Sequence, residues 1–338
     1  MPTTHSRPSG NGMAPQALEP WKGMKTIVPD EFYTSGHRTC QGCESALTMR
    51  LLVKAAGPRT IVLGSTGCMY VANTTYYSTP WVVPWMHTQL GSAGSAATGT
   101  AAGLKALMRK GKMKQEPINV IAVCGDGGGV DMGLSAISAA LLHSEYNLLV
   151  LVYDNESYAN TDIQVSGSSP YGANSTFTPP GKQKRIMQPH WKKNTAPMMA
   201  TGHPECRYVA TACPSYALDM MNKVRRALSI GGPTFIHVLD PCPKGWDFDP
   251  KYSHELGEMA VECGIWPLYE IVDGKLTLGG RTKQIAARTY KRKPVRDYLV
   301  RQGRFAHFTE EDVAYHQAKT DEMWEQWQIP GVIPFTAG

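Results

Sequence analysis

Charge is scarce in this sequence. Only 18% of its residues are Asp, Glu, Lys or Arg, below the ~25% typical of soluble proteins. With 42% hydrophobic residues beside it, this suggests a surface partly covered by other subunits. Long apolar runs are also missing. The longest, such as Leu148 to Tyr153, are strand-sized, far short of the ~20 residues that cross a membrane. The first 22 residues lack the apolar segment of a secretory signal and read as a disordered tail. The expectation is a cytoplasmic protein without membrane association. In that reducing setting the eight cysteines are metal ligands or buried thiols rather than disulfides. There is no internal repeat. The 33 glycines and 24 prolines argue against a coiled coil, a disordered chain or a helical solenoid. The net charge of +6 is mild. Its basic residues cluster at Lys182 to Lys193 and Arg281 to Arg296, read as solvated loops or a docking surface for an acidic partner, with no nucleic-acid role.

What is present is an alternation of buried strands and helices in a chain of 338 residues, long enough to bury a full core. Helices are expected at Ser45 to Ala56, Leu90 to Lys110, Leu134 to His143, Ser215 to Leu228 and Asp312 to Gln328. Strands are expected at Thr60 to Leu63, Ile118 to Val123, Leu148 to Tyr153 and Thr234 to Leu239. The pattern implies a doubly wound parallel sheet, in which ligands bind at the carboxyl ends of strands. Residues Leu90 to Lys110 are unusually small, which suits close helix–helix packing. Glu156 to Thr201 is a long polar loop region, of the kind that is usually functional. Leu268 to Leu278 reads as a hairpin turning at Asp273-Gly274.

The strand at Ile118 runs straight into Gly125-Asp126-Gly127. Glycines let backbone N–H groups approach a diphosphate, and the following helix terminus favours its charge. Asp126 can ligate Mg²⁺, a cation that takes oxygen ligands and bridges phosphates. Asn155 ends the next strand, one strand–helix–strand unit later, so the two side chains can share one metal. This pattern resembles the thiamine diphosphate motif.

Cys40 and Cys43 form a CxxC before a helix, Cys68 lies in the turn Gly67-Cys68-Met69, and Cys242 sits in a Pro-Cys-Pro turn. No second close pair supports a zinc ribbon. Thiolates gathered from separate loops suit a [4Fe–4S] cluster. On spacing alone the fourth ligand is Cys206, Cys213 or Cys242. Cys124 ends a buried strand and reads as a core thiol.

Together these signatures resemble the thiamine diphosphate-binding β subunit of 2-oxoacid:ferredoxin oxidoreductases, the pyruvate synthase group. The matching segments are Cys40-Gln41-Gly42-Cys43, Gly67-Cys68, Gly125-Asp126-Gly127, and Asp154 to Gln164. Ser169 to Lys182, Asp240 to Trp246 and Lys293 to Phe305 also match. The resemblance runs from about Gly36 to Gln328. It implies an α/β fold of the thiamine diphosphate-binding type, a doubly wound parallel sheet with cysteine-bearing loops and a C-terminal extension. The implied organisation is a tail at 1–22, a cofactor-binding domain at 23–267, and an extension at 268–338 packing on partner subunits.

By resemblance, Cys40, Cys43, Cys68 and Cys242 ligate the cluster, and Asp126 and Asn155 hold Mg²⁺ with the backbone carbonyl of Ser157. Gly67, Cys68, Gly125, Gly127, Tyr158 and Asn160 border thiamine diphosphate. One departure stands out: the family's usual Thr-Gly is here Thr161-Asp162, which puts the loop path in doubt. The implied reaction is oxidative decarboxylation of a 2-oxoacid to an acyl-CoA and CO₂, with electrons passed to ferredoxin or another acceptor. Pyruvate, an aromatic 2-oxoacid such as phenylglyoxylate, and oxalate are the candidate substrates. Implied partners are α, γ and ferredoxin-like δ subunits, the α chain supplying the glutamate that activates thiamine. A non-oxidative thiamine enzyme has no use for the cysteines. A zinc-stabilised interaction module leaves the Gly-Asp-Gly to Asn pattern unexplained.

Overall fold

The computed structural model describes residues 15–74 and 79–326. One eight-stranded sheet carries the fold: β1 (Thr60–Ser65), β2 (Trp85–Thr88), β3 (Asn119–Gly125), β4 (Leu148–Asp154), β5 (Tyr208–Ala212), β6 (Pro233–Leu239), β7 (Tyr269–Val272) and β8 (Lys275–Leu278). Their order is β2-β1-β3-β4-β6-β5-β7-β8. The first six are parallel, and the β7–β8 hairpin adds antiparallel to β5. Every residue of β4 and β6 is buried, as expected of central strands covered on both faces.

Helices α1 (Glu44–Ala56), α2 (Cys68–Val71), α3 (Ala93–Arg109), α4 (Leu134–Ala140), α5 (Thr195–Gly202) and α6 (Ala217–Ile230) cover the two faces. On one side Met49 and Leu52 of α1 and Met220 and Val224 of α6 pack on Val62, Ile121 and Leu149. On the other, Ala97 and Ala101 of α3 and Ile137 of α4 pack on Val120 and Val150. The small residues of α3 permit this closeness: a Cβ on Gly94 would lie 2.6 Å from the Ala136 carbonyl oxygen.

The chain steps outward from β1 to β2 and back across to β3, so its direction of winding reverses between β1 and β3. An open α/β sheet offers its ligand crevice at the carboxyl ends flanking such a reversal. There β1 hands over to Gly67 and α2, β3 to Gly125-Asp126-Gly127, and β4 to Asn155.

Two expectations change. Residues 15–22 are not a free tail. The Leu18 N–H bonds Ser229 Oγ at 2.9 Å and the Trp21 N–H bonds Asn222 Oδ1 at 2.7 Å. The Trp21 ring lies 4.4 Å from the Arg225 guanidinium. An aromatic with a cation to stack on repays the ordering of a short strap. Residues 1–14 of the expected tail lie outside the described residues, as do residues 327–328 of the expected last helix, seen as Glu310–Gln326. The turn at Cys68 is the start of a short helix, with Gly67 at its N-cap. The expected hairpin turns at Asp273 and Gly274, both at positive φ, and Tyr298, Leu299 and Phe305 pack with Leu239, Trp246 and Leu256.

Candidate cofactor site

Three loops enclose a cavity of about 450 Å³ at the carboxyl ends of β1, β3 and β4. It is walled by Thr66 to Cys68, by Gly125 to Gly128, and by residues 155 to 161 apart from Glu156. All the residues expected at a diphosphate thus share one cavity. The glycines are required by contact. A Cβ on Gly127 would stand 2.3 Å from the Tyr158 ring, and one on Gly67 would stand 2.7 Å from the Tyr153 hydroxyl.

Asp126 is 2% exposed and takes a hydrogen bond from the Ser166 hydroxyl. Burial, and then the neighbouring Asp154 carboxylate, push its carboxyl well above the usual range. Asn155 is equally buried, and its Oδ1 has no hydrogen-bond partner. Its carbonyl accepts from Trp246 Nε1 at 2.9 Å. A buried acid whose charged form is disfavoured and an orphaned amide oxygen, on adjacent strand ends, are the donor set an oxygen-seeking cation would complete. Among the described residues no Lys, Arg or His lines the cavity, so a cation would also be the natural counter-charge to a diphosphate there.

Residues 158 to 164 close as a small loop, the Tyr158 N–H bonding the Gln164 carbonyl at 2.9 Å. Burial and Asp131 raise the Tyr158 phenol to about 12. Asp162, where the related pattern has Gly, adopts φ 84°, ψ 45°. This is the left-handed region, which Gly enters freely and Asp tolerates at a cost.

The cysteines divide into two groups. Cys124, Cys206, Cys213 and Cys263 are buried in the packed core. Cys40, Cys43, Cys68 and Cys242 approach one another: Cys43 feels the charge of Cys242 and Cys68, Cys68 that of Cys242 and Cys40, and Cys242 that of Cys40. Burial raises Cys43 and Cys242, and raises Cys68 to about 12. Buried thiols become thiolate ligands only when a metal supplies the positive charge. Among the described residues, no three His, Cys, Asp or Glu side chains converge where a single metal ion would be held. Cys68 belongs to both groups of residues, since it also lines the cavity and bonds the Asn160 side chain.

Behind the cavity runs a buried chain of charges that sequence reasoning missed. His237 Nε2 is 2.9 Å from Asp154 Oδ2, Lys192 Nζ lies 3.2 Å from Asp154 Oδ2 and 2.8 Å from Glu156 Oε1, and Arg304 Nη2 lies 2.6 Å from Glu156 Oε2. Burial pushes Asp154 up, but Lys192 and His237 outweigh it and hold the carboxyl below its usual range. Burial lowers Lys192, and Asp154 and Glu156 overcome that, leaving it raised. The only sequence signal for this chain was that Asp154, Glu156 and Arg304 fall in segments of the family pattern.

Comparison with known proteins defines the class first. Residues 65–238 match the thiamine pyrophosphate enzyme C-terminal TPP-binding domain, an interval that runs from the last residue of β1 through β2 to β5 and most of β6, and that holds every residue lining the cavity. The fold is that of thiamine diphosphate-binding α/β enzymes. The chain is 46% identical over 294 residues to pyruvate synthase subunit PorB of Methanocaldococcus jannaschii, covering 87% of this chain and 95% of that one. It is 36% identical over 331 residues to the PorB subunit of Pyrococcus furiosus, covering 91% and 97%. It is 36% identical over 310 residues to ketoisovalerate oxidoreductase subunit VorB of Pyrococcus horikoshii, covering 90% and 95%. The chain belongs to the β subunits of the 2-oxoacid:ferredoxin oxidoreductases, in the pyruvate synthase group. The same fold is seen in 2-oxoglutarate:ferredoxin oxidoreductase from Magnetococcus marinus, solved with 2-oxoglutarate, coenzyme A and succinyl-CoA bound. That match has a TM-score of 0.53 at 19% identity and covers 89% of this chain and 99% of that one.

Proposed function

We propose that this chain is the thiamine diphosphate- and [4Fe–4S]-carrying subunit of a complex that oxidatively decarboxylates a 2-oxoacid, pyruvate first, to an acyl-CoA and CO₂. The observation that carries the reading is Cys68. It lines the cofactor cavity and lies close enough to Cys40 and Cys242 to feel their charge, so one residue belongs to both sites. When bound, thiamine diphosphate supplies the chemistry that releases CO₂ from a 2-oxoacid, and an iron–sulfur cluster removes electrons singly.

This chain's part is to hold and orient. Asp126 and Asn155, with the Ser157 carbonyl, hold Mg²⁺; the backbone of Gly125 to Gly128, with Gly67, Tyr158 and Asn160, receives the diphosphate side. Cys40, Cys43, Cys68 and Cys242 hold the cluster. Four thiols drawn from separate loops and close enough to feel one another suit a polynuclear cluster. The relatives named pyruvate synthase support pyruvate; the ketoisovalerate relative makes branched 2-oxoacids the next class to try.

Among the described residues Asp126 is the only carboxylate lining the cavity, and it is committed to the cation. The acid that activates thiamine therefore comes from an α subunit, and γ and ferredoxin-like δ subunits, coenzyme A and ferredoxin or another acceptor complete the system. The isolated chain is expected to be inactive with pyruvate, coenzyme A and thiamine diphosphate, and the assembled complex active. Asp126→Ala in the complex should abolish Mg²⁺-dependent thiamine diphosphate binding while leaving iron content unchanged. Decarboxylation by the isolated chain, or cofactor binding by the variant, would overturn the assignment.

A further inference from the structure

Glu156 stands between Asn155 and Ser157, yet its carboxylate lines a different cavity, with Lys192 and Arg304. Its backbone sits at φ 64°, in the left-handed region that ordinary residues avoid. Something must hold it there, and its polar groups are tied at every point. Its N–H donates to Asp154 Oδ1 at 2.9 Å and its carbonyl accepts from Ser169 Oγ at 2.7 Å. Its carboxylate accepts from Lys192 Nζ at 2.8 Å and from Arg304 Nη2 at 2.6 Å.

Arg304 arrives from the C-terminal segment and is 4% exposed. Its Nε donates to Gln302 Oε1 at 2.8 Å, and its guanidinium lies 4.1 Å from the centre of the Trp246 ring. Trp246 in turn donates from Nε1 to the Asn155 carbonyl at 2.9 Å and closes the short helix Pro243–Trp246, whose N-cap is Cys242. Arg304 and Trp246 thus grip residues 155 and 156 as one unit. A buried Arg–Glu pair is a poor device for stability alone, because desolvation cancels much of its attraction. What this pair does accomplish is geometric: it fixes the backbone path on which Asn155 keeps a buried, unpartnered Oδ1.

We infer that Arg304, stacked on Trp246, is a positioning residue for the cation site: it locks the Asn155–Glu156–Ser157 backbone in the form that receives Mg²⁺ with the diphosphate. The inference rests on the reading that Asp126, Asn155 and Ser157 hold that cation. It makes the C-terminal segment part of the cofactor site although none of its residues lines the cavity.

The test uses the assembled complex, stripped of thiamine diphosphate and divalent cation. Mn²⁺ is titrated in the presence of thiamine diphosphate, and free and bound Mn²⁺ are read by EPR, with melting temperature and iron content alongside. Arg304→Met should weaken Mn²⁺ binding by about tenfold or more, the size of effect seen when a support of a metal ligand is removed, and should alter the bound Mn²⁺ spectrum. Arg304→Lys, which keeps the charge but not the planar fork, should fall between that variant and the wild type. Arg304→Met with wild-type affinity and spectrum, whatever its melting temperature, would overturn the inference. Should Arg304→Met fail to assemble, Trp246→Phe decides: it keeps an aromatic face for Arg304 but removes the indole N–H that bonds Asn155, with some buried ring volume, and unchanged Mn²⁺ affinity there would equally overturn it. A wild-type complex that binds no Mn²⁺ with thiamine diphosphate would instead overturn the underlying assignment of the site.

Discussion

Asp162 shows how a single residue can keep a loop and still cost stability. It occupies the position where the family pattern has Gly and takes the left-handed conformation at φ 84°. Asp is among the few residues whose short polar side chain tolerates that region. Its neighbour Ile163, at φ 66°, is β-branched and far less suited. Asp162→Gly should therefore stabilise the chain by about 0.5–1 kcal/mol in denaturant unfolding, since relief of the conformational cost exceeds the entropy that glycine adds to the unfolded state. Destabilisation would mean that the Asp162 side chain makes a contact worth more than its strain.

Legibility at this scale depends on what spacing encodes. Asp126 and Asn155 could be paired from sequence because they end two consecutive strands of a parallel sheet, which must lie side by side. Glu156 and Arg304 could not. Nothing in local pattern links two charges whose contact is created by a C-terminal segment folding back over the body. The cysteine set lay between these cases: chain position left three choices for a fourth member, and only the three-dimensional approach of Cys242 to Cys40, Cys43 and Cys68 separates it from the core-buried Cys206 and Cys213.

Elements were legible where apolar residues ran long: β3, β4 and β6 are mostly apolar over seven residues each and read directly as central strands. β2 and β5 were not seen. β2 is a four-residue edge strand with two exposed positions directly after Pro84, too short and too polar to show a period. β5 is five residues long, and a 3-10 turn begins at Pro214 just beyond it. α5 was hidden in a region whose composition reads as loop. α3, by contrast, carries its packing in its composition. Gly94 sits 2.6 Å, measured from an added Cβ, from the Ala136 carbonyl oxygen, whereas Gly103 has nothing within 4 Å. Gly94→Ala should then destabilise by about 1–3 kcal/mol through overpacking. Gly103→Ala, on the same helix, should stabilise by up to about 1 kcal/mol through helix propensity alone. Equal effects in thermal or denaturant unfolding would show that α3 does not rest on α4 as closely as described.

At the scale of the molecule, the carboxyl ends of one sheet bring the cavity and the set of Cys40, Cys43, Cys68 and Cys242 together. The reversal between β1 and β3 opens the cofactor cavity, and the same loop after β1 carries Cys68 into its wall. The described residues beyond 268 belong to this body: β7 and β8 extend its sheet, and Arg304 reaches Glu156. No helix among the described residues is long and apolar enough to cross a membrane.

The central claim is that one chain carries thiamine diphosphate and an iron–sulfur cluster side by side. The direct measurement is the iron, zinc and thiamine diphosphate content of the anaerobically purified complex, compared with the same complex carrying Cys43→Ala. The account predicts one thiamine diphosphate per copy of this chain in both, no zinc, and a loss of about four irons per copy in the variant, the content of one [4Fe–4S] cluster. Thiamine diphosphate with iron unchanged by Cys43→Ala, or zinc in place of that iron, would contradict it.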